Sequence, residues 1–81
     1  MSATQLSELV ALVARALVDQ PDRVVVREVP GGRQPRIELT VAQEDIGKVI
    51  GKEGRTAQSI RTLLNAAASK NGRRAQLDIV D

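Results

Sequence analysis

An α+β fold of two layers is predicted, with three strands in one sheet and three helices over one of its faces. Three observations predict it. Residues 36–41, RIELTV, alternate strictly, with Ile37, Leu39 and Val41 on one side and Arg36, Glu38 and Thr40 on the other; that is the period of a half-buried strand. Residues 3–19 and 55–70 instead carry apolar side chains at helical spacing. A β-branched run, RVVVREV (23–29), is joined to 36–41 by PGGRQP, so the two runs form an antiparallel hairpin.

Each element has its own justification. In 3–19, Leu6, Leu9, Val10, Val13 and Leu17 form the apolar stripe. Ser2 and Gln5 have capping-box spacing, and Thr4 is a second candidate cap. Pro21 stops the helix because it cannot continue the hydrogen-bond ladder. Gly31 and Gly32 supply positive φ in the hairpin turn. Residues 43–50 read as a short helix, with Glu44 and Asp45 at its positive end and Ile46, Val49 and Ile50 as its buried stripe. The helix over 55–70 buries Ala57, Ile60, Leu64, Ala67 and Ala68, and Asn71-Gly72 ends it. AQLDIV (75–80) is a final strand with Leu77 and Ile79 on one face. The order is α-β-β-α-α-β.

Composition narrows the function. The 81 residues allow one domain, 1–81. With no Cys and no His there is neither a disulfide nor a structural zinc site. The acidic residues show no metal-ligand spacing, and no cofactor is expected. Ser2, Ser7, Ser59 and Ser69 have no base near them in sequence, so no catalytic constellation is present. The opening MSATQLSELV lacks the basic region of a signal peptide. No apolar run approaches the ~20 residues that span a bilayer. A soluble, cytoplasmic protein without a membrane partner is expected.

Net charge is +2, but it is unevenly placed. Residues 45–74 hold Lys48, Lys52, Arg55, Arg61, Lys70, Arg73 and Arg74 against Asp45 and Glu53, a net of +5 that leaves −3 elsewhere. Such a segment suits an anionic partner, although cations that merely solvate helix faces would give the same count.

The centre of that segment is VIGKEGRT (49–56). It is not a Walker A loop. Three residues, not four, separate Gly47 from Gly51, and Glu53 stands where Ser or Thr binds magnesium. The dinucleotide fingerprint fails for want of its first glycine. A plain joint between helices explains Gly51 and Gly54, but neither Gly47, which costs a helix ~1 kcal/mol, nor the cations. A clamp on a nucleic-acid backbone explains all of them, although close helix packing would account for Gly47 equally. Gly51 and Gly54 let a strand approach, turn N–H groups meet phosphate, and Lys52 and Arg55 add charge.

The sixteen residues IGKVIGKEGRTAQSIR (46–61) resemble the signature of the KH RNA-binding domain. The α-β-β-α-α-β order is similar to its type II form, and the length is similar to the bacterial KhpA (YlqC-like) family. The resemblance implies a non-catalytic protein that holds about four nucleotides of single-stranded RNA between the GxxG loop and a variable loop. It implies an RNA chaperone or post-transcriptional regulator and a larger KhpB (Jag/EloR-type) partner. Links to cell elongation and peptidoglycan homeostasis follow from it as well.

Carried onto this chain, the RNA-binding residues are Gly47, Lys48, Ile50, Gly51, Lys52, Glu53, Gly54, Arg55, Gln58 and Arg61. Arg73 and Arg74, and less strongly Lys70, come from the variable loop near 70–75. KNGRR also reads as an ordinary cationic helix end. No Phe, Tyr or Trp is present, so the ~1–3 kcal/mol per base that aromatic stacking supplies is missing. Binding by one copy is expected to be weak, and a homodimer would compensate by raising effective concentration. A protein-protein adaptor on the same scaffold is the alternative.

Overall fold

Helix α1 spans Ala3–Leu17 in the computed structural model, which describes residues 3–29, 32, 34–69 and 74–80. Its last backbone bond runs from the Val18 amide to the Ala14 carbonyl. The buried stripe is Leu6, Val10, Ala14 and Val18, with Ala11 beside it. It is rotated from the expected one. Val13 only packs on the margin of the core, and Leu17 is 38% exposed. The four-residue spacing of Leu6, Val10, Ala14 and Val18 lets the helix lie close on the sheet, and two of its contacts are small. Thr4 lies inside the helix rather than capping it. Ser2 lies outside the described residues, as do Gly31, Lys70, Asn71, Gly72 and Arg73.

Pro21 ends α1 as expected, but it also starts something. Its fixed φ suits the first position of a helix, and Pro21–Arg23 form a single 3-10 turn closed by the Val24 amide on the Pro21 carbonyl. The first strand, β1, therefore begins at Val25 rather than at 23 and runs to Val29. It pairs antiparallel with β2 (Arg36–Thr40), Val26 opposite Leu39 and Glu28 opposite Ile37. In the intervening turn Gly32 has φ 79°.

After β2 the chain makes a 3-10 turn (Gln43–Asp45) and then the five-residue α2 (Ile46–Ile50). The expected helix over 43–50 is thus a 3-10 turn followed by a short α-helix, with Asp45 between them at φ −100°, ψ −3°, in the right-handed region but displaced from the ideal of about −63°, −42°. Within α2, Val49 is fully buried, Ile46 packs at the margin and Ile50 is 37% exposed. The expected buried stripe therefore reduces to Val49. A further turn leads into α3 (Arg55–Ser69), which buries Ala57, Ile60, Leu64 and Ala68. The last strand, β3 (Gln76–Val80), pairs parallel with β2, Leu77 beside Ile37.

The sheet order is β1-β2-β3, and all three helices pack on one face around Ile37 and Leu39, both 0% exposed. The opposite face is an open lattice of charge, in which Arg27 pairs with Glu38 at 3.0 Å and Arg36 with Asp78 at 2.6 Å. Removing buried methylenes from a core this small should be costly. Leu6→Ala is expected to lower stability by about 2–5 kcal/mol. Leu12→Ala, at the 67% exposed position of the same helix, is expected to stay within about 0.5 kcal/mol. Urea unfolding of both variants checks the assignment of the buried face.

Candidate nucleic-acid interface

The joint between α2 and α3 is shaped by its backbone. Gly51 sits at φ 77°, ψ 173°, a region that only glycine occupies without strain. A Cβ there would fall on the Thr56 hydroxyl, 2.6 Å from Thr56 Cβ and 2.9 Å from its amide nitrogen. Two constraints, conformation and space, therefore require this glycine. Gly54 is held by conformation alone, with φ 74° and open space where a Cβ would lie. Between them Glu53 adopts φ 58°, ψ 26°, the left-handed region, at a cost of roughly 1–2 kcal/mol for a non-glycine residue.

The hydrogen bonds of the turn correct one expectation. The amides of Gly51 and Gly54 are not free. They donate to the Gly47 and Gly51 carbonyls at 2.8 and 3.1 Å, and the Arg55 amide donates to the Lys52 carbonyl. Among the described residues the Lys52 and Glu53 amides have no such bond, so the donors open to a ligand lie at the tip. Lys52 is exposed and makes no ion pair among the described residues. Arg55 meets Glu53 at 3.2 Å, but both are well exposed, and an ion pair in water of that kind holds Arg55 only loosely.

Gly47 lies on the exposed side of α2, and an added Cβ would meet nothing within 4 Å. No neighbour among the described residues requires its small size. Ile50 is exposed one turn along, next to the loop.

Lys48 is placed differently from the other cations. Its ammonium contacts Asp19 Oδ2 at 2.9 Å and Asp45 Oδ1 at 3.4 Å. Asp45 is 1% exposed, the one buried charged side chain among the described residues, and its Oδ2 accepts from the Gln20 amide at 3.0 Å. The Gln20 side chain donates to Glu44 at 2.8 Å. Burial pushes the Asp45 carboxyl up. The Asp19 and Gln20 amides and the Lys48 ammonium outweigh it and hold the group below its ordinary 3.8. The hydrogen bond to Asp19, then that to Asp45, holds Lys48 above its ordinary 10.5.

Along α3, Gln58, Arg61 and Asn65 follow Arg55 on the side facing β3. β3 is an edge strand. Its Gln76 amide donates to Pro35 on the β2 side, so by alternation the backbone groups of Ala75, Leu77 and Ile79 face the free edge. Two are closed by α3: Arg61 Nε donates to the Leu77 carbonyl at 3.3 Å, and Asn65 Oδ1 accepts from the Ala75 amide at 3.0 Å. Arg61 and Arg74 both line two adjoining open pockets, one of about 440 Å³ reaching Gln34 and Gln76, the other of about 600 Å³ reaching Gln58 and Ser69. Asp19, Gln20, Thr56 and Asn65 were not singled out by the sequence. Only the three-residue spacing of Asp45 and Lys48 advertises a contact there.

Residues 7–79 match the family model described as KhpA/KhpB, KH domain. The chain belongs to that KH-domain family. Among its relatives, an RNA-binding protein KhpA from Caldanaerobacter subterraneus is 55% identical over 75 residues, covering 93% of this chain and 100% of the relative. Another, from Treponema pallidum, is 50% identical over 78 residues, covering 96% of this chain and 98% of the relative. These names describe binding and no reaction. Among solved structures, an Era variant from Aquifex aeolicus bound to GDP and aluminium fluoride aligns with TM-score 0.69 and 20% identity. The alignment covers 93% of this chain and 29% of the Era chain. The fold is thus the type II KH arrangement, with the α-β-β-α-α-β order expected from the sequence. Among the described residues no helix is long and apolar enough to cross a membrane.

Three glycine-region variants separate these constraints. Gly51→Ala is expected to destabilise most, by more than about 1–3 kcal/mol, since strain and the Thr56 clash add. Glu53→Gly is expected to stabilise by about 0.5–1 kcal/mol, the relieved strain offset by unfolded-chain entropy. Gly47→Ala should stabilise α2 by up to about 1 kcal/mol. Denaturant melts rank the three.

The polar junction gives a pH signature. The lowered Asp45 value contributes stability above 3.8 that is lost as pH falls through its folded value. The raised Lys48 value contributes stability below 10.5 that is lost as pH rises through its folded value. Asp45→Asn is expected to be less stable at neutral pH and to lose less further stability below pH 3.8 than the parent, as read by urea midpoints.

Proposed function

We propose that this chain is a non-catalytic protein that binds single-stranded RNA, its GKEG loop holding the sugar-phosphate backbone. One observation carries the reading. Gly51 is forced into a conformation that leaves the Lys52 and Glu53 amides undonated at an exposed tip, flanked by Lys52 and Arg55. Amides and cations converging at one point suit a phosphate. The names of the relatives, RNA-binding proteins of matching length, support the ligand class.

The strand would leave the loop past Gly47 and Ile50 and run along α3, meeting Gln58 and Arg61. The pockets at Arg61 and Arg74 would take its far end. The Leu77 amide and the Ile79 backbone at the free edge of β3 would offer hydrogen bonds to bases. With no aromatic platform, base contacts are aliphatic and polar, so affinity rests on phosphate contacts and is strongly salt-dependent.

From the family resemblance we further propose that the protein acts in the cytoplasm as an RNA chaperone or post-transcriptional regulator. It would work with a KhpB-type partner in cell elongation and peptidoglycan homeostasis. The family description names KhpA and KhpB together, which supports such a pairing. A homodimer is a second assembly in keeping with weak single-copy binding, and Leu12 and Leu63 are exposed on the outer faces of α1 and α3.

The test is Lys52→Asp combined with Glu53→Asp. Binding of an unstructured single-stranded RNA oligonucleotide is expected to fall below detection while the far-UV spectrum is unchanged. For the parent, log affinity should fall with log salt by about 0.7 per phosphate neutralised. A double variant that binds as tightly as the parent would sink the clamp. Partner capture that ignores both salt and the substitution would favour the adaptor.

A further inference from the structure

We infer that the contacts of Asp19, Asp45 and Lys48 form a clip that sets the position of the GKEG loop, making Lys48 a positioning residue rather than a phosphate contact. This rests on the RNA-binding reading for its functional consequence, but its structural part stands alone.

Helix α2 has five residues, too few to hold itself in water. Downstream it runs straight into Gly51, where the chain leaves helical geometry at φ 77°, ψ 173°. Its single fully buried anchor is Val49. With Ile46 packed only at the core margin, these apolar contacts fix the depth of the helix better than its rotation about its own axis. The polar contacts remove that freedom. Asp45 enters from the start of α2 and accepts from the Gln20 amide, while Lys48, three residues on, reaches Asp19 and Asp45 together. Gln20 adds its side-chain bond to Glu44. Lys48 on α2 and Asp45 immediately before it are therefore tied to one short segment, 19–20, that follows α1. The Gly51 amide then bonds to the Gly47 carbonyl at 2.8 Å, so the orientation of α2 passes directly to the first residue of the loop.

Charge argues the same way. Lys48 faces two carboxylates, and Glu44 lies close by through Gln20. That side of α2 is net negative and would repel a phosphate. Lys52 and Arg55 carry no comparable acidic shell. The cation that the sequence groups with them points its charge inward to the junction instead.

The decisive variant is Asp19→Asn, since its carboxylate is 76% exposed and removing it threatens neither core nor fold. Simple electrostatics predicts tighter RNA binding, because a negative charge is lost and Lys48 is freed. The clip predicts the opposite sign, a several-fold loss of affinity. It also predicts shifted amide resonances at Lys52 and Glu53 in the free protein. Lys48→Met is expected to weaken binding with an unchanged salt dependence, whereas a lost phosphate contact would lower the slope by about 0.7. Lys48→Arg should restore most of the affinity. Tighter binding by Asp19→Asn, or a lowered slope for Lys48→Met, overturns the proposal. If the parent binds no RNA, the function is wrong, and the resonances still decide the clip: unmoved Lys52 and Glu53 amides overturn it.

Discussion

A carboxylate that is 1% exposed must find partners for its charge within the protein. Asp45 finds them in the Gln20 amide and the Lys48 ammonium, and this small polar knot joins the two helices that flank the first hairpin. It sits where the helix expected over 43–50 divides into a 3-10 turn and α2. It brings the end of α1 against the start of α2. Whatever the loop beyond α2 does, it does from a platform fixed at this junction, because α2 is too short to supply rigidity itself.

Beyond the junction the molecule separates its charges by role. On the open sheet face Arg27, Glu38, Arg36 and Asp78 satisfy one another. At the junction Lys48 is satisfied by acids. Lys52 and Arg74 are left without an ion pair among the described residues, and Arg55 has only an exposed partner. Net charge of +2 therefore understates the field along the loop and α3. An anionic strand would meet cations at the loop and near Arg74, with Arg61 between them braced against the Leu77 carbonyl.

The loop itself combines a strict position with tolerant ones. Gly51 is constrained twice, by a glycine-only conformation and by Thr56. Gly54 answers only to its φ. Glu53 stands in a conformation that disfavours it, and a residue kept under strain at an exposed tip is a feature of functional loops more than of plain joints. The same glutamate places a negative charge between two cations, which in the proposed reading would keep a grip on phosphate light and reversible.

Much of this was legible in the sequence. Strict alternation in 36–41 put Ile37, Leu39 and Val41 on the buried face, because a strand's period of two leaves no choice once one face meets helices. Ala57, Ile60, Leu64 and Ala68 followed from the helical period in the same way. GKEG between two apolar segments located the loop, since chain reversal there needs glycine. What the sequence could not supply was rotation and pairing. The 3.6-residue period admits neighbouring stripes on α1, and only the packed sheet chose Leu6, Val10, Ala14 and Val18 over the line through Leu17. Lys48 looked like Lys52 in a charge count. Its different environment depends on Asp19, far away in sequence and brought close only when α1 and α2 meet. Contacts between distant residues are decided by tertiary packing, and it is there that a cation becomes either part of the scaffold or part of the binding surface.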